Sequence, residues 1–425
     1  MVIQRLNDAR IANGLPGLPE DPHLSTVSAG WSAQMAGSGG LSHNPRSAAQ
    51  YGLPLDASGE IVGYIRDERL SQEQHAALVV DLWMDSPTHR PVILQSTFTD
   101  VGVGVAWDSR GGMYATANFV TASLPCLAQE ALAFSQSLVA TGSATRIVIA
   151  HSGLAADALA GSSLADGNSP ILFARPDQPL PETLTAEIGR IAAADANVYL
   201  IGGRVSDAVG AQVTASGATP VRLDGASRYD TAARVAREIA DVRGQPDRIY
   251  IARADEWADA VTIAGHAALH GHPVVLVDPD RVPPETLAVL QQFKGAERVV
   301  IGGSEAVSDA VANQIGASRL AGPDRSATGA VVMREVWGRR KAAAGEHLVV
   351  TPGWSGDGWA AALAHSLYAA RHHAPLLFVD DVGAPPAVRD LLTTMGYTAG
   401  TAPTITFARR VSAAARADIG ALTGH

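Results

Sequence analysis

Lysine is nearly missing from this chain: only Lys294 and Lys341 occur, against thirty arginines. With the abundance of alanine, that bias looks like the product of a high-GC genome of actinobacterial type. A single cysteine, Cys126, excludes an intramolecular disulfide. It does not report a redox compartment, since exported bacterial proteins often lack disulfides, and it reads as a small buried hydrophobe. Aromatic residues make up only 5% of the chain. No run approaches the roughly 18 consecutive apolar residues of a transmembrane helix, so a membrane span is excluded. Basic charge is in deficit too: a net charge of -10 argues against a broad polyanion-binding face, and so against nucleic acid as a main partner. Local arginine clusters can still hold an anionic polymer. The start, Met1-Val-Ile-Gln-Arg-Leu-Asn-Asp-Ala-Arg10, has the pattern of an amphipathic helix, without the apolar core or cleavage site of a signal peptide.

What the chain has is repetition. Arg146-Ile-Val-Ile-Ala-His-Ser-Gly153 with Asp157 returns as Arg248-Ile-Tyr-Ile-Ala-Arg-Ala-Asp255 with Asp259, and as His347-Leu-Val-Val-Thr-Pro-Gly353 with Asp357. The aspartates lie 102 and 98 residues apart. Val198-Tyr-Leu-Ile-Gly-Gly203 recurs as Arg298-Val-Val-Ile-Gly-Gly303, and Arg222-Leu-Asp-Gly225 with Arg228 recurs as Arg319-Leu-Ala-Gly322 with Arg325. Three landmarks in a fixed order indicate duplication of a whole structural unit. At 425 residues the chain needs several domains in any case.

Within a unit, short apolar runs alternate with helical patterns. The second unit reads as strand Arg248 to Ala252, helix Trp257 to Gly271, strand Pro273 to Val277, helix Pro283 to Phe293 and strand Arg298 to Ile301. Such alternation predicts a small three-layer α/β domain with a parallel sheet covered on both faces. The Gly-Gly pairs after Ile201 and Ile301 lack the rest of a dinucleotide fingerprint, and no Walker lysine exists. They read as turns into helices. Asp157, Asp259 and Asp357 recur like a catalytic set, yet each falls at a predicted helix start, where capping accounts for it.

Residues 1 to about 121 have another texture. Helices are expected at Val2 to Asn13, Leu24 to Gly37 and Gln72 to Asp85, with a Gly-rich loop delivering Leu41-Ser-His43. Asp100 to Trp107 and Met113 to Val120 then alternate as strands about Gly111-Gly112, a hairpin signal. This is an α+β domain. His23 and His75 read as loop or solvated helix positions.

The string Trp83-Met-Asp-Ser86-Pro-Thr-His89-Arg90, with Phe98-Thr-Asp-Val-Gly102-Val-Gly104, Leu6-Asn-Asp-Ala-Arg10 and Leu41-Ser-His43, resembles the bacterial branch of the CAP (SCP-like extracellular) superfamily. The resemblance implies an α-β-α sandwich with a cleft lined by two histidines and up to two acids, in some members holding a divalent metal. It maps the histidines to His43 and His89 and the first acid to Glu60, in Gly59-Glu60-Ile61-Val62. Ile61 replaces the usual asparagine, and Ser86 stands at the second acid's place, with Asp85 beside it. Chemically, His43, Glu60 and His89 could form a two-histidine, one-carboxylate zinc site with an open position, with Glu60 as ligand or base. The alternative is a pair of cleft histidines that bind nothing tightly.

Arg222-Leu-Asp-Gly-Ala-Ser-Arg228-Tyr229-Asp-Thr231, Trp257-Ala-Asp259-Ala260 and Val198-Tyr-Leu-Ile-Gly-Gly203 resemble the cell-wall-binding repeat type 2 family. That resemblance implies three tandem copies in a pseudo-threefold ring, binding an anionic wall polysaccharide or teichoic-acid-like polymer. The expected domains are 1–121 for the CAP domain and 125–220, 221–317 and 318–425 for the repeats. The first repeat lacks the leading arginine string, leaving a helix-like remnant at Leu127 to Gly142, and the third ends without Gly-Gly. Arginine suits an anionic glycan because its planar fork pairs with phosphate or carboxylate oxygens. The candidates are Arg222, Arg228, Arg319, Arg325, Arg204 and Arg409; the alternative is that Arg228 and Arg325 pair with Asp224, Asp230 or Asp324 and lock units together. Tyr229, Trp257, Trp354 and Trp359 form no periodic stripe. Together these features predict a secreted, wall-anchored protein displaying a CAP domain, or else a metal-assisted wall-remodelling or peptide hydrolase. An intracellular α/β enzyme rests only on the missing signal, which a trimmed or misplaced start explains.

Overall fold

The computed structural model describes every residue except 19, 48, 49, 51–56, 122–125, 154, 176, 355–357 and 410, and the side chains of Pro22, His23, Cys126 and Leu127. Asp357 and the Cys126 side chain therefore lie outside the described residues. The chain divides into two compact units, Met1–Cys126 and Leu127–His425.

In the first unit the three expected helices occur at Val2–Ala12, Pro22–Ser38 and Gln72–Asp85. Ser71 caps the third with a reciprocal Ser71/Gln74 box, which satisfies two orphan backbone N–H groups. The hairpin strands are β2, Asp100–Trp107, and β3, Met113–Thr121, and a third strand, β1 (Ala57–Ile65), joins them antiparallel in the order β1-β3-β2. Alternate residues of β1 face opposite layers. Ile61 joins Val79, Val80 and Trp83 of the third helix in one core, while Val62 packs with Met35 of the second helix and Tyr114. Helices therefore cover both faces, giving the α-β-α sandwich. The Gly102-Val-Gly104 motif lets the second helix lie directly on β2: a Cβ at Gly104 would fall 2.0 Å from the Ala29 nitrogen. Ser28 and Ser32 of that helix donate to the Gly102 and Gly104 carbonyls at 3.0 and 2.9 Å. His75 corrects the expectation of a solvated position. It is buried, edge-on to Trp107 at 4.9 Å.

The second unit contains three parallel sheets of one topology, ordered β5-β4-β6-β7, β9-β8-β10-β11 and β13-β12-β14. The central strands β4 (Ala144–His151), β8 (Arg248–Arg253) and β12 (His347–Pro352) are flanked by β5 (Ile171–Ala174) and β6 (Ala192–Ile201), by β9 (Val274–Val277) and β10 (Glu297–Ile301), and by β13 (Leu376–Val379) and β14 (Thr404–Phe407). In the middle sheet Ile249 and Ile251 pack with Ala233, Ala236, Val289 and Val311 of helices on one face. Tyr250, between them, meets His266 of helix Ala264–His270 on the other, with its hydroxyl 3.1 Å from the Nδ1. Burial on both faces explains why these strands read as continuous apolar runs.

The fourth strands, β7 (Thr219–Leu223) and β11 (Ser318–Leu320), carry Arg222 and Arg319 and complete the preceding sheet: Leu223 pairs with Ile201 and Leu320 with Ile301. The expected boundary at 220/221 thus falls inside β7. The arginine string begins a new repeat in sequence but closes the old one in space. Helix Arg228–Arg243 then opens the next sheet. Helix Cys126–Leu138 takes the same place before β4 and reaches the third repeat: Phe134 lies 4.6 Å from His365, and Glu130 accepts the Arg409 backbone N–H at 2.9 Å. With helix Ala155–Ser162 also packed on both other repeats, the three units close into a ring.

Candidate functional site

The structure assembles two distinct sites, one in each unit. In the first unit, β1 places Glu60 on the face covered by the second helix, and the loop after that helix brings His43 over it. His43 Nδ1 lies 2.9 Å from Glu60 Oε1, which also accepts the Asn44 backbone N–H at 2.8 Å. The carboxylate is nearly buried while the imidazole is mostly exposed, and Glu60 Oε2 is buried without a partner. Burial, then the neighbouring His43, holds the His89 pKa below its ordinary value. Ser86, in place of a second acid, accepts the His89 backbone N–H at 3.3 Å and so braces the loop.

The fold brings His43 against Glu60, with His89 close enough to feel the His43 charge. As placed, they are not gathered round a common point: Glu60 Oε1 is taken up by His43 and Asn44, while Oε2 has no partner. Among the described residues no group of three histidine, cysteine or acidic side chains is arranged to hold a metal. The pair can share a proton between imidazole and carboxylate, and among the described residues no second carboxylate is hydrogen-bonded to it.

In the ring, the candidate arginines separate by partner. Arg222 donates to the Val205 carbonyl at 2.9 Å and to Asp207 at 3.0 Å. Arg319 repeats this on Val307 (2.7 Å) and Asp309 (2.9 Å), adding the Gly302 carbonyl at 2.8 Å. Both pin the turn after a strand to the strand beside it, a structural use of the guanidinium fork. Arg204 pairs with Asp177 at 2.9 Å on the exposed surface. Arg409 lies at the ring closure, with its N–H on Glu130.

Arg228 and Arg325 each start a helix and donate back to the chain leaving a central strand. Arg228 donates to the Ala254 carbonyl at 2.7 Å and Arg325 to Gly353 at 2.6 Å. Neither takes the expected acids: Asp230 pairs with Arg234 at 3.2 Å, and the acid nearest Arg325 is Glu256 at 3.9 Å. Both lie at seams between repeats, beside the carboxyl ends of parallel strands, where open α/β sheets bind ligands.

Of the recurring aspartates, Asp157 and Asp259 are not helix caps of the expected kind. Asp259 makes no side-chain capping bond. Instead its carboxylate sits against the α-carbon of Gly302, whose added Cβ would lie 2.7 Å from Oδ2; Asp157 stands likewise against Gly202, at 2.2 Å. Burial raises the Asp259 pKa against the opposing pull of a bond to Thr328. The two repeated landmarks, aspartate and Gly-Gly, are thus one contact. Their equal recurrence was the only sequence signal for it.

The model of cell wall binding domain 2 (CWB2) matches residues 114–210, 222–312 and 319–405, well over half the chain. The chain belongs to the CWB2 family. The model of the cysteine-rich secretory protein family (CAP) matches residues 3–121, so a CAP domain precedes the three CWB2 repeats. N-acetylmuramoyl-L-alanine amidase LytC of Bacillus subtilis is 28% identical over 48% of this chain and 40% of its own length. The amidase enhancer of the same organism is 28% identical over 53% and 29%. The chain therefore spans less than half the length of either relative. Cwp8 from Clostridium difficile covers 86% of this chain and 63% of its own at 19% identity, with a TM-score of 0.61, a likeness of fold. The protein is cell-wall-associated, built of a CAP domain and CWB2 repeats. Among the described residues no helix is long and apolar enough to cross a membrane.

Proposed function

We propose that the CWB2 repeats hold the protein without covalent linkage on an anionic polymer of the bacterial cell wall, a polysaccharide or a teichoic-acid-like chain, and display the CAP domain at the cell exterior. The observation that carries this reading is the ring itself. Three parallel sheets turn their carboxyl-terminal strand ends into seams, and Arg228, which forms no ion pair among the described residues, lines a pocket there. An unpaired guanidinium fork in a partly enclosed site is suited to a carboxylate or phosphate. A net charge of -10 makes such binding local rather than a matter of bulk attraction.

The test is retention of the full chain on purified Gram-positive walls before and after extraction of their anionic polymers. Retention lost on extraction, and weakened by salt, supports the anchor. Equal retention on extracted walls refutes it. The CAP cleft adds no second reading, because among the described residues the His43–Glu60 pair is joined by no second acid and no metal-holding group.

A further inference from the structure

The seams of the ring are chemically unlike, and the difference follows from two substitutions between repeats. Between the second and third repeats, the Arg325 guanidinium lies 5.5 Å from the Trp257 ring centre and 5.8 Å from that of Trp354. Its fork is stacked between two indoles and donates to Gly353. This is a closed staple, stabilised by cation–π contact.

The seam between the first and second repeats has the same arginine, but among the described residues no indole stacks on its guanidinium. Trp257 stands four residues past the end of β8, and Ala155 stands four past the end of β4. Trp354 stands two residues past β12, and Asp255 two past β8. Arg228, which copies the Arg325 bond on Ala254, therefore faces an alanine and a carboxylate where Arg325 faces two rings. The vacated space is a pocket of about 170 Å³ lined by Ala155, Arg228, Arg253, Asp255, Glu256 and Trp257 among others. Asp255 pairs with Arg253 and Glu256 with Arg325, so neither acid forms an ion pair with Arg228 among the described residues, although Asp255 lies within its field. At the third seam the helix Cys126–Leu138 carries no arginine; its buried Glu130 accepts the Arg409 backbone N–H instead.

We infer that the chain grips its polymer at one seam only: the pocket beside Arg228 takes a single sugar residue bearing a carboxylate or phosphate, with the anion on the guanidinium and the ring against Trp257. The inference rests on the anchoring function proposed above and narrows it from three equivalent contacts to one.

Retention of the full-length protein on purified walls separates the two. Arg228→Gln and Ala155→Trp, which refills the pocket as the second repeat does, are each expected to weaken retention at least tenfold with little change in melting temperature. Arg325→Gln is expected to lower the melting temperature while the folded protein binds as the wild type does. Wild-type retention that survives Arg228→Gln overturns the single-seam site and leaves anchoring intact; a wild type that is not retained sinks both. Should Ala155→Trp fail to fold, competition decides. Free glucuronate or glucose 1-phosphate should release the protein, and whichever does so names the anion. Release by glucose at the same concentration would overturn the requirement for charge.

Discussion

The carboxylate of Asp259 occupies the space that any side chain at residue 302 would need: a Cβ there would lie 2.7 Å from Oδ2, at a residue whose φ is +114°. Gly302→Ala therefore meets both a clash and a backbone region closed to alanine. A loss of about 2 kcal/mol or more is expected in thermal or urea unfolding. Gly303, the second glycine of the pair, has nothing within 4 Å of a built Cβ and no positive φ. Gly303→Ala should stay within about 0.5 kcal/mol of wild type. Equal effects of the two substitutions would show that the turn, and not the aspartate, requires the pair.

A second expectation concerns pH. His266, His270 and His272 crowd one end of helix Ala264–His270, with ring centres 4.3 to 5.6 Å apart, beside Tyr250, Trp337, Arg243, Arg248, His373 and Asp247. Burial, reinforced by the neighbouring histidines, lowers His266 to about 3; burial, partly offset by Asp247, lowers His272 to about 4. Both are neutral in the folded protein and have ordinary values near 6.5 when unfolded. Below that value the unfolded chain binds more protons, so stability is full above pH 6.5 and falls as pH drops toward 4. At pH 5 the loss is roughly 2 kcal/mol for each histidine. Melting temperatures between pH 8 and 4.5 should fall accordingly, and His266→Gln with His272→Gln should flatten the profile. An unchanged slope in the double variant would place the acid sensitivity elsewhere.

Arg10 offers a test in the CAP domain. It is fully buried and donates to the carbonyls of Pro16, Ile93 and Gln95 at 3.0, 2.6 and 3.0 Å, tying the first helix to the segment before β2. Arg10→Met keeps most of the volume and strands those acceptors. A cost of about 2–3 kcal/mol is expected, read as faster hydrogen exchange confined to residues 1–121. Exchange unaltered there would mean that water replaces the guanidinium without loss.

The His43–Glu60 pair sets an expectation for zinc. With Glu60 Oε1 engaged by His43 and Asn44, equilibrium dialysis at micromolar zinc should recover no stoichiometric metal. His43→Ala and His89→Ala should match wild type. One equivalent of zinc, lost in both variants, would instead show that the pair opens to admit the ion.

The division between what was legible in sequence and what was not follows physical lines. Helix Gln72–Asp85 and strands β2 and β3 were readable because period and caps are local. Strand β1 was not: Gly59 and Gly63 break its alternation, and they are there because Val92 and Val79 crowd the face where side chains would stand. The three recurrences identified the repeats but not that β7 closes the preceding sheet, since it does so by pairing with β6, a contact no local pattern announces. The candidate arginines were legible as a set, whereas their separate roles depended on which carbonyl or ring each meets. Arg222 and Arg325 look equally promising in sequence and are both occupied in space. Arg228 stands out through Ala155 and Asp255, residues of no note by themselves.

Arg371 of the third repeat donates to the carbonyl of Leu138, at the end of the first helix of the ring, across 233 residues of sequence. In an open solenoid each copy meets only its neighbours, so copies can be gained or lost at the ends. A closed circuit has no end to extend. In this architecture removing one copy would open both of its neighbours' seams at once, so the triplet is the smallest unit that leaves no seam bare. Within a closed triplet the copies can still diverge in sequence, as the chemically unlike seams at Arg228 and Arg325 show.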